Sequence, residues 1–229
     1  MSSSPRGGRP LSQIETWIFD LDNTLYPLAV NLFAQVEERM ANFIMDELEI
    51  TYEDAHRLRR DFFARHGTTL RGLMTDHNVE PRRFLDYVHD IDLSGVPANP
   101  ALVAAINWLP GRKLVFTNAT VRHAERVMDR IGLTGQIEAV HDIEAMDYQP
   151  KPARSAYDAL VSRYHIAPAT ALFVEDMARN LQPAAALGMT TAWVRGPLEW
   201  ARIGSDQPYV HHIIDDLAAW LAAVERPVG

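Results

Sequence analysis

Asp20 and Asp22 stand one residue apart in WIFDLDNTLYP (residues 17–27), where an apolar run that reads as a buried strand comes to its end. Side chains alternate along an extended strand, so the two carboxylates point the same way if the extension persists through both. Like charges held that close repel, and a metal ion or a reacting phosphoryl group would offset the repulsion. Three more polar clusters occupy comparable places. Thr117 and Asn118 follow KLVF, Glu175 and Asp176 follow ALFV, and Lys151 lies between two prolines in YQPKPARSAY.

Each cluster alone has a plainer reading. Thr117, Asn118 or Thr120 can cap the helix that follows, and Glu175 and Asp176 suit the first turn of a helix. Lys151 can be a solvated loop residue. Asp22 and Asn23 can form a turn, with Pro27 opening the next helix. Taken together, four polar clusters at strand ends or helix mouths are what a doubly wound sheet would gather at one edge.

One chemistry uses all four. A carboxylate is ionised at neutral pH, so Asp20 can attack phosphorus without a base to activate it. Mg²⁺ would offset the clustered acids, taking oxygen ligands from Asp20, Asp176 and a backbone carbonyl while also binding phosphate. Asp22, two residues on, is placed to protonate the leaving alkoxide, a role worth roughly 10²–10⁴ in rate. The Thr117 hydroxyl, the Asn118 N–H and the Lys151 ammonium suit the phosphoryl oxygens.

The elements that must position these groups are readable from periodicity. TWIFDL gives the first strand, and a mostly helical stretch runs from Pro27 to about Asp90, with Leu28, Phe33, Val36, Met40, Phe43 and Ile44 near helical spacing. YEDAHRLRRDFFARH, TLRGLMTDH and PRRFLDYVHD continue it, and SGVPANP reads as a hinge. From residue 100 short apolar runs (KLVFTN, IEAVHD, ALFVED, TTAWVR, VHHIID) alternate with helical patterns. Such alternation implies an α/β fold: a Rossmann-like, doubly wound parallel sheet, here with an inserted helical cap. The expected division is a catalytic core over residues 11–26 and 95–229, a helical cap over 27–94, and a flexible tail over 1–10. Ligands of such sheets bind beyond the carboxyl ends of the strands.

Composition narrows the partners. The 229 residues are 47% hydrophobic and 23% charged, as in a globular protein with a sizeable core. A net charge of −8 argues against a nucleic acid polymer or an anionic membrane as partner. With no cysteine, disulfides, thiolate nucleophiles and zinc–thiolate sites are excluded, which fits a cytoplasmic location. The polar opening MSSSPRGGRP has no apolar stretch behind it, so it reads as a loose tail and not as a signal peptide. No run reaches membrane-spanning length.

In their order the clusters resemble the motifs of the haloacid dehalogenase superfamily of phosphohydrolases. DLDNT resembles its first motif, VFTNA its second, Lys151 in PKP its third and VEDMARN its fourth, across roughly residues 16–195. The resemblance implies a mobile cap, Mg²⁺ dependence and an aspartyl-phosphate intermediate. It makes Asp20 the nucleophile and Asp22 the acid/base whose backbone carbonyl also ligates the metal. Thr117 and Asn118 then hold the phosphoryl group, Lys151 balances charge, Asp176 ligates Mg²⁺ and Glu175 stands in the outer shell, with Asn180 either orienting that shell or lying on a helix surface. Asn23 stands where many relatives have glycine, and Glu175–Asp176 where many have paired aspartates, which leaves open which acid touches the metal.

Within the superfamily, DNTLYP together with HGTTLRGLM resembles the pyrimidine 5′-nucleotidase branch, which implies UMP, CMP or a similar nucleoside monophosphate as substrate. Substrate choice is expected in the cap, at His66, Thr68, Thr69 and Arg71, and at Tyr26 just after the acids. The cap aromatics Phe33, Phe43, Phe62, Phe63, Phe84 and Tyr87 offer a stacking surface or, alternatively, the cap's own small core. His141, His211 and His212 lack the further ligands of a transition-metal site. The chain is expected to be a monomer or a homodimer. A phosphatase or phosphomutase for a sugar phosphate would use the same residues, and a non-catalytic nucleotide-binding module is the reading from a different class.

Overall fold

The computed structural model describes residues 7–225. Among the described residues six strands form one sheet: β1 (Thr16–Phe19), β2 (Arg112–Phe116), β3 (Ala139–His141), β4 (Ala171–Glu175), β5 (Thr190–Val194) and β6 (His212–Ile214). Their spatial order is β3-β2-β1-β4-β5-β6, and every neighbouring pair is parallel. The central strands carry no polar face: all of β1 and β4 is buried, as are the last three residues of β2. That is the pattern of a parallel sheet covered on both sides. Because β1 pairs with β2 on one side and β4 on the other, the chain winds outward in two directions and leaves a crevice beyond their carboxyl ends. Asp20, Thr117 and Asp176 are the residues that directly follow β1, β2 and β4.

Between β1 and β2 lie α1 (Leu32–Leu48), α2 (Tyr52–His66), α3 (Thr69–His77) and α4 (Pro81–Val88), followed by α5 (Pro100–Trp108). The first four pack on one another, α1 against α2 and α4 and α2 against α3. Their centre is aromatic. Phe43 meets Phe84 edge-on at 5.1 Å between ring centroids and Tyr87 at 5.5 Å, and Phe62 is fully buried. Phe33 and Phe63 are exposed. The remaining helices, α6 (Val121–Ile131), α7 (Arg154–Tyr164), α8 (Leu181–Ala186) and α9 (Leu217–Ala222), alternate with the strands after β2, and α9 packs on α5.

Local chemistry fixes the ends of these elements. Thr51, Thr68 and Thr120 accept the N–H three residues on and so cap α2, α3 and α6. Thr120 takes the capping role at α6, and Thr117 and Asn118 are released from it. Glu175 and Asp176 are not first-turn acids, since Glu175 ends β4 and α8 begins only at Leu181.

After β1 the chain does not stay extended. The Asp20 N–H still donates to the Val174 carbonyl at 2.9 Å, but the N–H groups of Thr24 and Leu25 both turn back to the Leu21 carbonyl. Asn23 sits in the left-handed region at φ 61°, which asparagine tolerates better than most residues with a side chain. The expectation that Asp20 and Asp22 point the same way therefore fails, because a turn begins between them.

Of the tail expected over residues 1–10, residues 1–6 lie outside the described residues. Arg9 is fastened to β5, its N–H donating to Thr190 Oγ1 at 2.8 Å.

Gly111 leads into β2 at φ +75°, and a Cβ there would lie 2.1 Å from the Glu15 carbonyl oxygen, a backbone atom that already receives the Arg112 N–H. Gly111→Ala is therefore expected to destabilise the fold by about 1–3 kcal/mol, through strain and a backbone clash that no rotamer change relieves. Denaturant unfolding checks this, and an unchanged midpoint would show that the turn can relax.

Candidate active site

Lys151 is the centre of the site. Its ammonium donates to Asp20 Oδ1 at 2.6 Å, to Glu175 Oε2 at 2.7 Å and to the Phe116 carbonyl at 2.9 Å. Those bonds use all three N–H donors, so a hydrogen bond from Lys151 to a phosphoryl oxygen requires one of them to be released. The rings of Phe116 and Phe173 flank the ammonium, with centroids 5.1 and 5.4 Å away. The loop that carries the lysine is pinned by Asn118, whose Oδ1 accepts the Lys151 N–H at 2.9 Å and whose Nδ2 donates to the Lys151 carbonyl at 3.4 Å. The Asn118 side chain is thus spent on positioning, and its backbone N–H has no partner among the described residues. Thr117 is fully buried, and its hydroxyl oxygen accepts the Ala119 N–H at 3.0 Å, leaving the O–H free to donate.

Asp20, Glu175 and Asp176 are all buried, with one oxygen of each within 4.8 Å of the others. Thr24 Oγ1 donates to Asp20 Oδ2 at 3.1 Å. Both Glu175 oxygens are engaged, Oε2 by Lys151 and Oε1 by the Met177 N–H at 3.2 Å. The Asp176 carboxylate has no N–H or hydroxyl donor among the described residues and faces the Glu175 carboxyl, while its backbone carbonyl accepts the Trp193 indole N–H at 2.6 Å. Asn180, also buried, accepts the Tyr157 hydroxyl on its carbonyl, and its Oδ1 has no partner among the described residues.

Residues 14–188 match the family model described as haloacid dehalogenase-like hydrolase. The chain belongs to the haloacid dehalogenase-like hydrolase family. Among curated relatives, Phosphate metabolism protein 8 of Saccharomyces cerevisiae is 24% identical over an alignment of 197 positions that covers 76% of this chain and 60% of that protein. This chain thus spans less than two thirds of that relative's length. A structure of a HAD phosphatase from Thermococcus onnurineus superposes with a TM-score of 0.64 at 15% identity, covering 93% of this chain and all of that one. The L-2-haloacid dehalogenase from Xanthobacter autotrophicus gives 0.54 at 15% identity, covering 91% and 97%. Both share the fold, and a fold common to a phosphatase and a dehalogenase does not choose between their reactions.

Within this family site Asp22 stands apart from Asp20. Tyr26 donates to Asp22 Oδ1 at 2.6 Å, and His123 Nε2 lies 3.3 Å from the same oxygen. Tyr26, expected to contact substrate, is instead buried with its hydroxyl committed to Asp22. His123 was missed in the sequence, as was its stacking partner His89. Both look like ordinary helix residues, and only the fold brings them to Asp22 from about 100 and 65 positions away.

The segment carrying α1–α4 meets the rest of the chain at several points. Arg71 Nη1 reaches the Tyr148 carbonyl at 3.5 Å, Arg82 pairs with Glu144 at 2.8 Å, and the Arg179 guanidinium lies 5.3 Å from the Phe63 ring. Thr69 is buried in the first turn of α3, and His66 sits 3.3 Å from Asp76. Neither Thr69 nor Arg71 is bonded to the acid cluster. A cleft of about 330 Å³ opens between this segment and α6, with His89, Thr120, Arg122, His123 and Arg126 in its wall. A larger hollow of about 530 Å³ lies by Arg9 and Thr190 at the amino end of β5, remote from the acids. His141 is packed between the Phe116 and Tyr164 rings, and His211 accepts the Thr191 N–H, so both serve packing and loop structure.

The electrostatics follow from burial. Burial and the repulsion of Glu175 push the Asp20 carboxyl up to about 7 although Lys151 opposes them. Burial, then Glu175 and Asp20, push Asp176 well above the carboxylate range. Burial disfavours the Lys151 ammonium, yet Asp20 and Glu175 outweigh it and hold the group above the ordinary lysine value. Burial also pushes Asp22 up, but the bonds from His123 and Tyr26 prevail and leave it at about 2. Three buried carboxylates facing one ammonium, with oxygen donors alone, fit a hard divalent cation.

A carboxyl raised in the folded state binds its proton more tightly there than in the unfolded chain. For Asp20 that contribution to stability is complete below 3.8 and is lost as pH rises through about 7. Chelator-treated protein is therefore expected to lose stability across that window, and Asp20→Asn to flatten the loss. Melting temperatures measured against pH in a chelating buffer test it; a slope unchanged by the substitution assigns the loss to other groups.

Proposed function

We propose that this chain is a Mg²⁺-dependent phosphomonoester hydrolase that works through an aspartyl-phosphate at Asp20, and that its substrate is a pyrimidine nucleoside 5′-monophosphate such as UMP or CMP. The observation that carries the hydrolase reading is the buried Lys151 ammonium joining Asp20 to Glu175 beside Asp176. The nucleotide part rests on DNTLYP and HGTTLRGLM. The cleft lined by His123, whose Nε2 lies 3.3 Å from Asp22 Oδ1, has room for a nucleoside.

Asp20 and Asp176 would hold the metal together with the backbone carbonyl of Asp22. Glu175, whose two oxygens are already bonded, would support Lys151 from the outer shell. The bound cation supplies positive charge to the acids and to the phosphoryl oxygens. Thr117 Oγ1 and the Asn118 N–H donate to those oxygens, and Lys151 together with the cation would favour the ionised form of Asp20 against burial and Glu175. The Asp20 carboxylate attacks phosphorus, the bond to the leaving oxygen breaks, and that oxygen takes its proton from Asp22. Asp22 is ionised in the free site; the approach of an anionic phosphoryl group raises its proton affinity, and it takes up from solvent the proton that it then gives to the leaving oxygen. Water then attacks phosphorus and gives its proton to Asp22. The bond to Asp20 breaks and phosphate leaves. Carbon–halogen cleavage, by contrast, has no use for a proton donor at Asp22. On this reading residues 27–94 form a lid that excludes water for the first step and admits it for the second.

A phosphate-release screen with Mg²⁺ over nucleoside monophosphates, sugar phosphates and short phospho-acids is expected to give the highest kcat/KM for UMP or CMP. Asp20→Asn should abolish turnover of every ester while leaving the fold intact. A preference for a sugar phosphate removes the nucleotidase part alone. No release from any ester would leave a nucleotide-binding module in its place.

A further inference from the structure

Asp22 Oδ1 receives two groups from different parts of the chain, Tyr26 Oη at 2.6 Å and His123 Nε2 at 3.3 Å. An ionised carboxylate only accepts, so the ring nitrogen facing it, Nε2, carries a hydrogen. His123 Nδ1 is buried and has no partner among the described residues. The ring is held from two sides. His123 is 2% exposed within α6, where its own N–H is accepted by Thr120 Oγ1 at 3.3 Å. The His89 ring, just after α4, stacks on it with centroids 4.6 Å apart and planes 25° from parallel. His89 in turn is fastened to α6, its carbonyl accepting Arg126 Nη1 at 2.9 Å and its Nδ1 lying 3.3 Å from Thr120 Oγ1.

Rotation about the last bond of an aspartate side chain is broad, so one hydrogen bond leaves the carboxylate free to swing. Two donors converging on one oxygen fix its plane. They also make that oxygen the worse place for a proton, which would cost both bonds. We propose that His123 is a positioning residue for the general acid: with Tyr26 it holds Asp22 Oδ1, so that Oδ2 gives the proton to the leaving oxygen and later takes one from water, while His89 sets the plane of the imidazole. This rests on the phosphohydrolase reading of Asp22. It also makes the seating of the helical segment on α6 part of the acid's geometry, because His89 and His123 come from opposite sides of that contact.

Leaving-group dependence separates this from a packing role. Nitrophenolate departs without a proton, whereas an alkoxide needs one, so loss of a well-placed acid slows the transfer to Asp20 only for the alkyl ester, while the water step that follows is common to both. His123→Phe keeps a stacked ring and removes the donor, and His123→Gln keeps an amide donor and removes the ring. Assayed on glycerol 2-phosphate and on p-nitrophenyl phosphate with Mg²⁺, His123→Phe is expected to lose about tenfold or more in kcat/KM, which reads the reaction up to departure of the leaving group, on the first and less than about threefold on the second. His123→Gln should recover most of the loss. His89→Ala should show a smaller loss with the same selectivity, and it decides the matter if His123→Phe does not fold. An equal fall on both esters, or no fall on either, overturns the positioning role while the hydrolase reading stands. Wild-type protein that releases phosphate from neither ester, nor from any nucleoside monophosphate, overturns both.

Discussion

The Lys151 ammonium is buried between Asp20 and Glu175, with Asp176 alongside, and much of the local structure is what such a group requires. Removing one partner of a buried ion pair typically costs about 3–5 kcal/mol, because the charge left behind has neither water nor a counter-ion. Three acceptors satisfy the ammonium, one from each of the strands β1, β2 and β4 or their ends. Two phenylalanine rings close off water. Asn118 fixes the loop that delivers the lysine by bonding both of its backbone groups. The sheet order makes this possible, since only β1, flanked by β2 and β4, can bring the three strand ends to one point.

The same constraint separates the two acids of the first strand. Asp20 must remain in register with β4 to meet Lys151, and its N–H still bonds to Val174. Asp22 must leave that register, because a fourth carboxylate facing the same ammonium would add repulsion without adding a partner. The turn through Asn23 at φ 61° carries it to Tyr26 and His123. The result is one carboxyl pushed up to about 7 and another held at about 2, two residues apart. Groups separated in this way can take different roles in one reaction.

The parallel sheet and the helical insert were legible because their signals are local: apolar runs of strand length alternating with helical periodicity, and a helical stretch with no strand in it. The residues gathered at strand ends were legible for the same reason, since Thr117, Glu175 and Asp176 follow apolar runs directly. What escaped depends on backbone direction or on distant contacts. The turn after Asp20 hides in an asparagine that tolerates a left-handed conformation, so extension through Asp22 was the natural expectation. Tyr26 lies next to the acids in sequence, and its hydroxyl bonds to Asp22. His89 and His123 carry no motif at all. The backbone N–H of Asn118 was read as a phosphate donor, and the role of its side chain in holding the lysine loop had no local signal.

The central claim is that Asp20, held by Lys151, becomes phosphorylated. The most direct measurement is the mass of the Asp20-containing peptide after an acid quench during turnover of a phosphomonoester. The account predicts one added phosphoryl group on that peptide, placed on Asp20 by fragmentation and absent from Asp20→Asn. Steady turnover with no phosphoryl group on Asp20, or with one on another residue, would contradict it.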